Sequence, residues 1–130
     1  MQIVAALIAA RYLSSGLPTA VQQEGEKVYF DPLGNKQAPF PSLFDDATKE
    51  LSIVIPAYNE QERLPICVDE MLKWLAAHQR KNPSFTYELI IVDDGSKDNT
   101  ASVAYEYSKK FTSDVVRVMR ILPNGGKGNA

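Results

Sequence analysis

Tyr87-Glu88-Leu89-Ile90-Ile91-Val92-Asp93-Asp94-Gly95-Ser96 is an apolar run that stops at two adjacent carboxylates, a glycine and a serine. Leu89 to Val92, rich in β-branched residues and closed by a turn signal, reads as a strand buried on both faces. Strands of that kind belong to parallel sheets covered by helices, where ligands gather at the carboxyl ends of the strands. An α/β fold is therefore expected, with Asp93 and Asp94 on its ligand edge.

Working outward, Leu51-Ser52-Ile53-Val54-Ile55-Pro56 repeats the design and ends in Ala57-Tyr58-Asn59-Glu60. Between the two runs, Leu64, Val68, Met71, Leu72 and Leu75 recur at helical spacing, which predicts a helix from Gln61 to about Arg80. Pro65 fits only its first turn. Strand, helix and strand make a βαβ unit with both polar tips on one edge. A second helix follows, capped by Asp98 and turned inward through Ala104, Tyr107, Ser108 and Phe111. Val115 to Leu122 alternates in its middle and reads as a third strand nearer a sheet edge.

Ahead of this unit, Glu26 to Phe30 is a strand candidate, and Asp31-Pro32-Leu33-Gly34-Asn35 supplies a hairpin reversal. Gln37 to Asp46, interrupted by Pro39 and Pro41, is expected to be extended chain pinned by Phe40, Leu43 and Phe44. Residues 1–13 form an apolar leader, too short at about 1.5 Å per helical residue to cross a bilayer alone. Arg11 follows the apolar run instead of preceding it, unlike a secretory signal. The leader is either the end of a membrane anchor or a short amphipathic segment. Residues 14–50 then divide into linker, hairpin and extended segment, and residues 51–130 make the α/β domain.

Composition narrows the function. A chain of 130 residues with a formal charge of −2 carries no basic stripe for nucleic acid. A single cysteine, Cys67, excludes an internal disulfide and a cysteine-based zinc site, and a single histidine, His78, excludes a two-histidine metal site. Cys67 and Trp74 fall on the first helix and read as packing or boundary residues.

Consecutive strand residues face opposite sides, so Asp93 and Asp94 do not form one acid/base pair. Either one carboxylate braces the turn while the other accepts from a sugar hydroxyl or base N–H, or the cluster only caps a helix. Tyr58 either stacks on a flat base or packs at a domain rim. Gly125-Gly126-Lys127-Gly128 is not a Walker A loop, since Gly128 stands where Ser or Thr is required. No G-x-G-x-x-G follows the first strand, which argues against nicotinamide or flavin. A lysine among glycines still suits a diphosphate. No helix follows that loop, so the chain is expected to be truncated at its carboxyl end.

Taken together, Ile53-Val54-Ile55-Pro56-Ala57-Tyr58-Asn59-Glu60, Val92-Asp93-Asp94-Gly95-Ser96-Lys97-Asp98-Asn99-Thr100 and Asn124-Gly125-Gly126-Lys127-Gly128-Asn129-Ala130 resemble the nucleotide-binding half of family 2 glycosyltransferases with the GT-A fold. The segments Pro41 to Leu51 and Phe85 to Glu88 resemble the branch that transfers glucose from UDP-glucose to dolichyl phosphate. The resemblance implies a Rossmann-like, mostly parallel sheet with flanking helices, and an inverting enzyme of the endoplasmic reticulum membrane whose domain faces the cytoplasm. It implies that Pro56, Ala57 and Tyr58 line a uracil pocket with Glu60 close by. Asp94 would accept from the uracil N–H, Asp93 would brace the turn, and Lys127 would approach the uridine or its phosphates. A basic residue is usual in the family at Gly125, so one phosphate contact is expected to be lost. The Mg²⁺ or Mn²⁺ of the family is held by an Asp-x-Asp motif expected beyond residue 130, and the acceptor site likewise, so the chain alone is expected not to turn over. A mannosyl-transferring sibling with a GDP donor and a non-catalytic nucleotide-binding fragment are the alternatives.

Overall fold

The computed structural model describes residues 24–42 and 44–122. The apolar leader, the start of the linker, Leu43 and Lys127 with its glycine loop lie outside the described residues. A 3-10 turn (Glu24–Lys27) leads into β1 (Val28–Asp31) and β2 (Lys36–Pro39). The domain proper follows as β3 (Leu51–Ala57), α1 (Arg63–Lys81), β4 (Tyr87–Asp93), α2 (Thr100–Phe111) and β5 (Val116–Arg120). Among the described residues no helix is long and apolar enough to cross a membrane.

Strands β3, β4 and β5 form a parallel sheet in that order, with Ile55 beside Ile91 and Ile91 beside Val118. Crossovers of this kind are right-handed. Two taken in the same direction place both helices on one face. That face carries Ile55, Leu89, Ile91, Val116 and Val118, which meet Leu64, Val68, Leu72 and Leu75 of α1 and Ala104 of α2 in one core. Ala104 and Ser108 are fully buried, so α2 lies close to the sheet on small side chains. Where the helices touch each other, the Tyr107 hydroxyl donates to Asp69 Oδ1 at 2.7 Å. Burial, and then the Asp69 carboxylate, push the Tyr107 pKa up to about 12.

The expectation of strands buried on both faces is corrected by this topology. Ile90 and Val92 are only half-buried, and Val54 is 56% exposed. Among the described residues no helix covers that second face. Its amino-terminal end instead holds an ion pair. Arg117 Nη1 donates to Glu88 Oε2 at 2.6 Å, and the Ser52 hydroxyl donates to Glu88 Oε1 at 2.7 Å. The Tyr29 ring, 5.0 Å from the Arg117 guanidinium, covers the pair.

The hairpin is present, but its bounds differ from the sequence reading. The segment from Glu26 to Lys27 is 3-10, and Lys36–Pro39, which takes in the start of the Gln37 to Asp46 segment expected as extended chain, pairs antiparallel with β1. Pro39 does not interrupt the strand but ends it, on an edge where a missing N–H costs nothing. Phe40 does pack, 5.1 Å from the Tyr29 ring. Phe44 does not; it is 98% exposed.

α1 begins at Arg63, which puts Pro65 in its first turn as required. Its far end carries His78, stacked on the exposed Trp74 and edge-on to Phe85. The helix runs back from the carboxyl edge of the sheet, so His78 sits at the opposite end from the strand tips.

Candidate functional site

Sheet register builds the site. Ala57 lies beside Asp93, so Tyr58 and Asp94 leave adjacent strands side by side. The Asp94 N–H donates to the Ala57 carbonyl at 3.0 Å, extending the pairing by one step past the strand ends. Tyr58 is 52% exposed, and Asp94 is exposed beside it. An aromatic face and an unburied carboxylate thus share the carboxyl edge.

The two aspartates divide as their opposite facing requires. Asp93 is wholly buried, and its Oδ1 accepts the Ser96 N–H at 3.1 Å. Gly95 between them has φ 73°, a left-handed conformation in which a Cβ would be strained. Arg120 Nε lies 3.1 Å from Asp93 Oδ2 but without hydrogen-bond alignment, so that buried oxygen has electrostatic and no directional company. Tyr105 stands close to this pair, and burial raises its pKa.

The two strand tips are stitched into one unit. The Asn59 N–H donates to Ser96 Oγ at 2.9 Å, and the Lys97 N–H donates to Asn59 Oδ1 at 2.9 Å. The Glu60 N–H donates to Thr100 Oγ1 at 2.8 Å, the Gln61 N–H to Asp98 Oδ2 at 3.3 Å, and the Asn99 N–H to Gln61 Oε1 at 3.0 Å. Asp98 Oδ1 accepts the Thr100 N–H at 2.9 Å, so it serves the first turn of α2 from one residue ahead of the cap position. The Thr100 hydroxyl also donates to Asp98, and this bond above all lowers the Asp98 pKa below the usual carboxylate range.

Glu60 is taken up by Arg63, whose Nε and Nη2 donate to its two oxygens at 2.6 Å each. That hydrogen bond raises the Arg63 pKa. Two open hollows flank this pair. One of about 340 Å³ is lined by Pro56, Ala57, Glu60, Arg63 and Cys67 among others. The other, of about 300 Å³, lies between Asn59–Arg63 and Asp98. Neither is lined by Tyr58 or Asp94. The expected site residues therefore fall into separate settings. Pro56, Ala57 and Glu60 share a hollow, Tyr58 and Asp94 stand together on the open edge, and Asp93 lies buried behind them.

Asn59, Gln61, Ser96 and Thr100 escaped the sequence reading as individuals. Their signal was compositional: Ser96-Lys97-Asp98-Asn99-Thr100 packs side-chain acceptors and hydroxyls into the turn after a strand, where they satisfy backbone N–H groups. What could not be read was that Ser96, Asp98 and Thr100 all accept from the neighbouring loop, and that Asn59 and Gln61 accept in return.

Among the described residues no group of three or more His, Cys, Asp or Glu side chains could hold a metal ion. Asp93 faces inward to Ser96 and Arg120, Glu60 is held by Arg63, and Asp94 alone is no cage.

Residues 52–130 match the family model described as glycosyl transferase family 2. The chain is 46% identical over 123 residues to the dolichyl-phosphate beta-glucosyltransferase of Homo sapiens, across 95% of this chain and 38% of that protein. The enzyme of the same name from Mus musculus gives 46% over 123 residues, with the same 95% and 38%. That of Drosophila melanogaster gives 44% over 127 residues, 98% of this chain and 38% of the relative. The chain thus spans 38% of the length of these relatives.

Proposed function

The chain belongs to glycosyl transferase family 2, and from that premise we propose that it provides the nucleotide-reading part of a transfer of glucose from UDP-glucose to dolichyl phosphate. The names of its relatives support the sugar and the lipid. One observation carries the nucleotide: an exposed aromatic ring and an exposed carboxylate held on adjacent strand ends by the Asp94 N–H to Ala57 carbonyl bond. A base stacked on Tyr58 gains about 1–3 kcal/mol. An Asp94 carboxylate accepting a uracil N–H adds a charge-assisted bond, worth about 1.5–3 kcal/mol. Asp93 keeps the turn in shape from behind. Pro56 and Ala57, in the hollow they share with Glu60 beside the strand tip, are proposed to line the rest of the base pocket, and Lys127 is the cation proposed for the diphosphate.

In the transfer, a phosphate oxygen of the lipid attacks the anomeric carbon in line, with inversion, as the bond to the UDP oxygen breaks. The attacking phosphate, with a second pKa near 6, is largely ionised at neutral pH. No strong base is needed on this chain. Mg²⁺ or Mn²⁺ belongs to the proposal as the partner of the departing diphosphate, and the described residues give it no cage. Action at the cytoplasmic face of the endoplasmic reticulum membrane, with attachment through the amino-terminal apolar segment, is part of the same proposal.

Calorimetric titration with UDP in Mn²⁺ tests the reading. Saturable binding is expected, weakened at least about tenfold in Asp94→Asn, whose amide would present a lone pair or a clashing N–H without the charge. GDP should compete poorly, whereas preference for GDP would indicate a mannosyl-type donor. A folded chain that ignores both nucleotides would overturn it.

A further inference from the structure

Five hydrogen bonds that use a side chain link the two strand tips, and Asn59, next to Tyr58, takes part in two of them. Asn59 sits between Tyr58 and Glu60 with φ 53°, in the left-handed region that non-glycine residues avoid. In that conformation it reaches the β4 loop twice. Its backbone N–H donates to Ser96 Oγ at 2.9 Å, and its side-chain Oδ1 accepts the Lys97 N–H at 2.9 Å. Ser96 is itself 5% exposed, and its N–H is held by the buried Asp93. A continuous path of hydrogen bonds therefore runs from Asp93 through Ser96 to Asn59. It uses neither the Tyr58 nor the Asp94 side chain.

We infer that Asn59, with Ser96 as its partner, is a positioning residue that sets the spacing of the Tyr58 ring and the Asp94 carboxylate before any nucleotide arrives. The inference rests on the nucleotide reading above. The physical reason is preorganisation. Tyr58 and Asp94 belong to loops whose strands end at Ala57 and Asp93, and both side chains are exposed. Without a cross-link each loop would have to be ordered by the ligand at a cost in affinity. Asn suits the position because it tolerates a positive φ and offers a short acceptor. Glycine would keep the conformation and lose the acceptor. Aspartate would keep both.

The test is UDP titration of the chain carrying Asn59→Gly, Asn59→Asp or Ser96→Ala, each alone and with Asp94→Asn. Loss of one preorganising bond should weaken UDP about five- to tenfold in Asn59→Gly and in Ser96→Ala. Asn59→Asp should recover most of the loss. With Asp94→Asn already present, Asn59→Gly should cost much less than it does alone, because the carboxylate it positions is gone. A residue that only supports the fold would give additive losses in that cycle. Ser96→Ala, a small change, keeps the test in force should Asn59→Gly fail to fold. If the parent chain binds UDP and both single variants bind equally well, the inference falls and the nucleotide reading stands. If the parent chain binds no UDP, both fall.

Discussion

Asp98 shows how much one side chain can hold at this edge. It accepts the first free N–H of α2 with one oxygen and the Gln61 N–H of the opposite loop with the other. The Thr100 hydroxyl bond lowers its pKa from the ordinary 3.8. A carboxylate whose folded pKa is depressed stabilises the fold fully above its unfolded value, and that contribution fades as pH falls through the folded value. The parent chain is therefore expected to lose stability on acidification below about pH 4 more steeply than Asp98→Asn, in which this group no longer titrates. Urea midpoints measured from pH 6 to pH 2.5 check this, and parallel curves would remove Asp98 from the account. Legibility at this scale was uneven. Asp98 was readable as a helix-capping acid because its type and place before an apolar face are local facts. The opposite facing of Asp93 and Asp94 was legible in their adjacency, and that Asp93 is the inward one was implied only by the resemblance; the engagement of Glu60 by Arg63 depends on rotamers, although their three-residue spacing allows it.

Helices and strands were the most legible level, because each shows its period in its own residues. α1 announced itself through Val68, Leu72 and Leu75, which are buried as its stripe requires. β2 was missed because Lys36–Pro39 has no apolar alternation; it exists through pairing with β1. β4 was recognised as a strand, but Glu88 within it carries a role that its run of neighbours hides. Its side chain is 9% exposed and pairs with an Arg117 that is 12% exposed. Removing one partner of a buried pair strands the other charge, so Glu88→Ala should destabilise the chain by about 3 kcal/mol. Arg117 keeps the Ser113 carbonyl and the Tyr29 ring as consolation, which sets the figure at the low end. Glu88→Gln retains a hydrogen-bond acceptor for Arg117 and should lose less than half as much. Equal losses in denaturant unfolding of the two variants would show that packing, and not charge, is what Glu88 supplies.

At the scale of the whole molecule the sheet has two unlike faces. One is sealed by α1 and α2. The other runs from the Ser52, Glu88 and Arg117 network to a row formed by Pro56, Val92 and Met119, with Val54 and Ile90 between. Val54, 56% exposed, also lies on β3, whose outer edge pairs with no strand among the described residues. An apolar face next to an unpaired strand edge is an open template for association. The chain is therefore expected to self-associate as its concentration rises. Burial of a valine side chain is worth about 1.5 kcal/mol, so Val54→Lys should weaken that association at least about tenfold. Sedimentation velocity over a concentration series reads this directly. Val54 points away from the α1 and α2 core and lies short of the strand tips, so UDP titration of the same variant separates the two surfaces. Weakened association with intact nucleotide binding would assign the open face to packing alone. A variant that associates as strongly as the parent would place the contact elsewhere on the molecule.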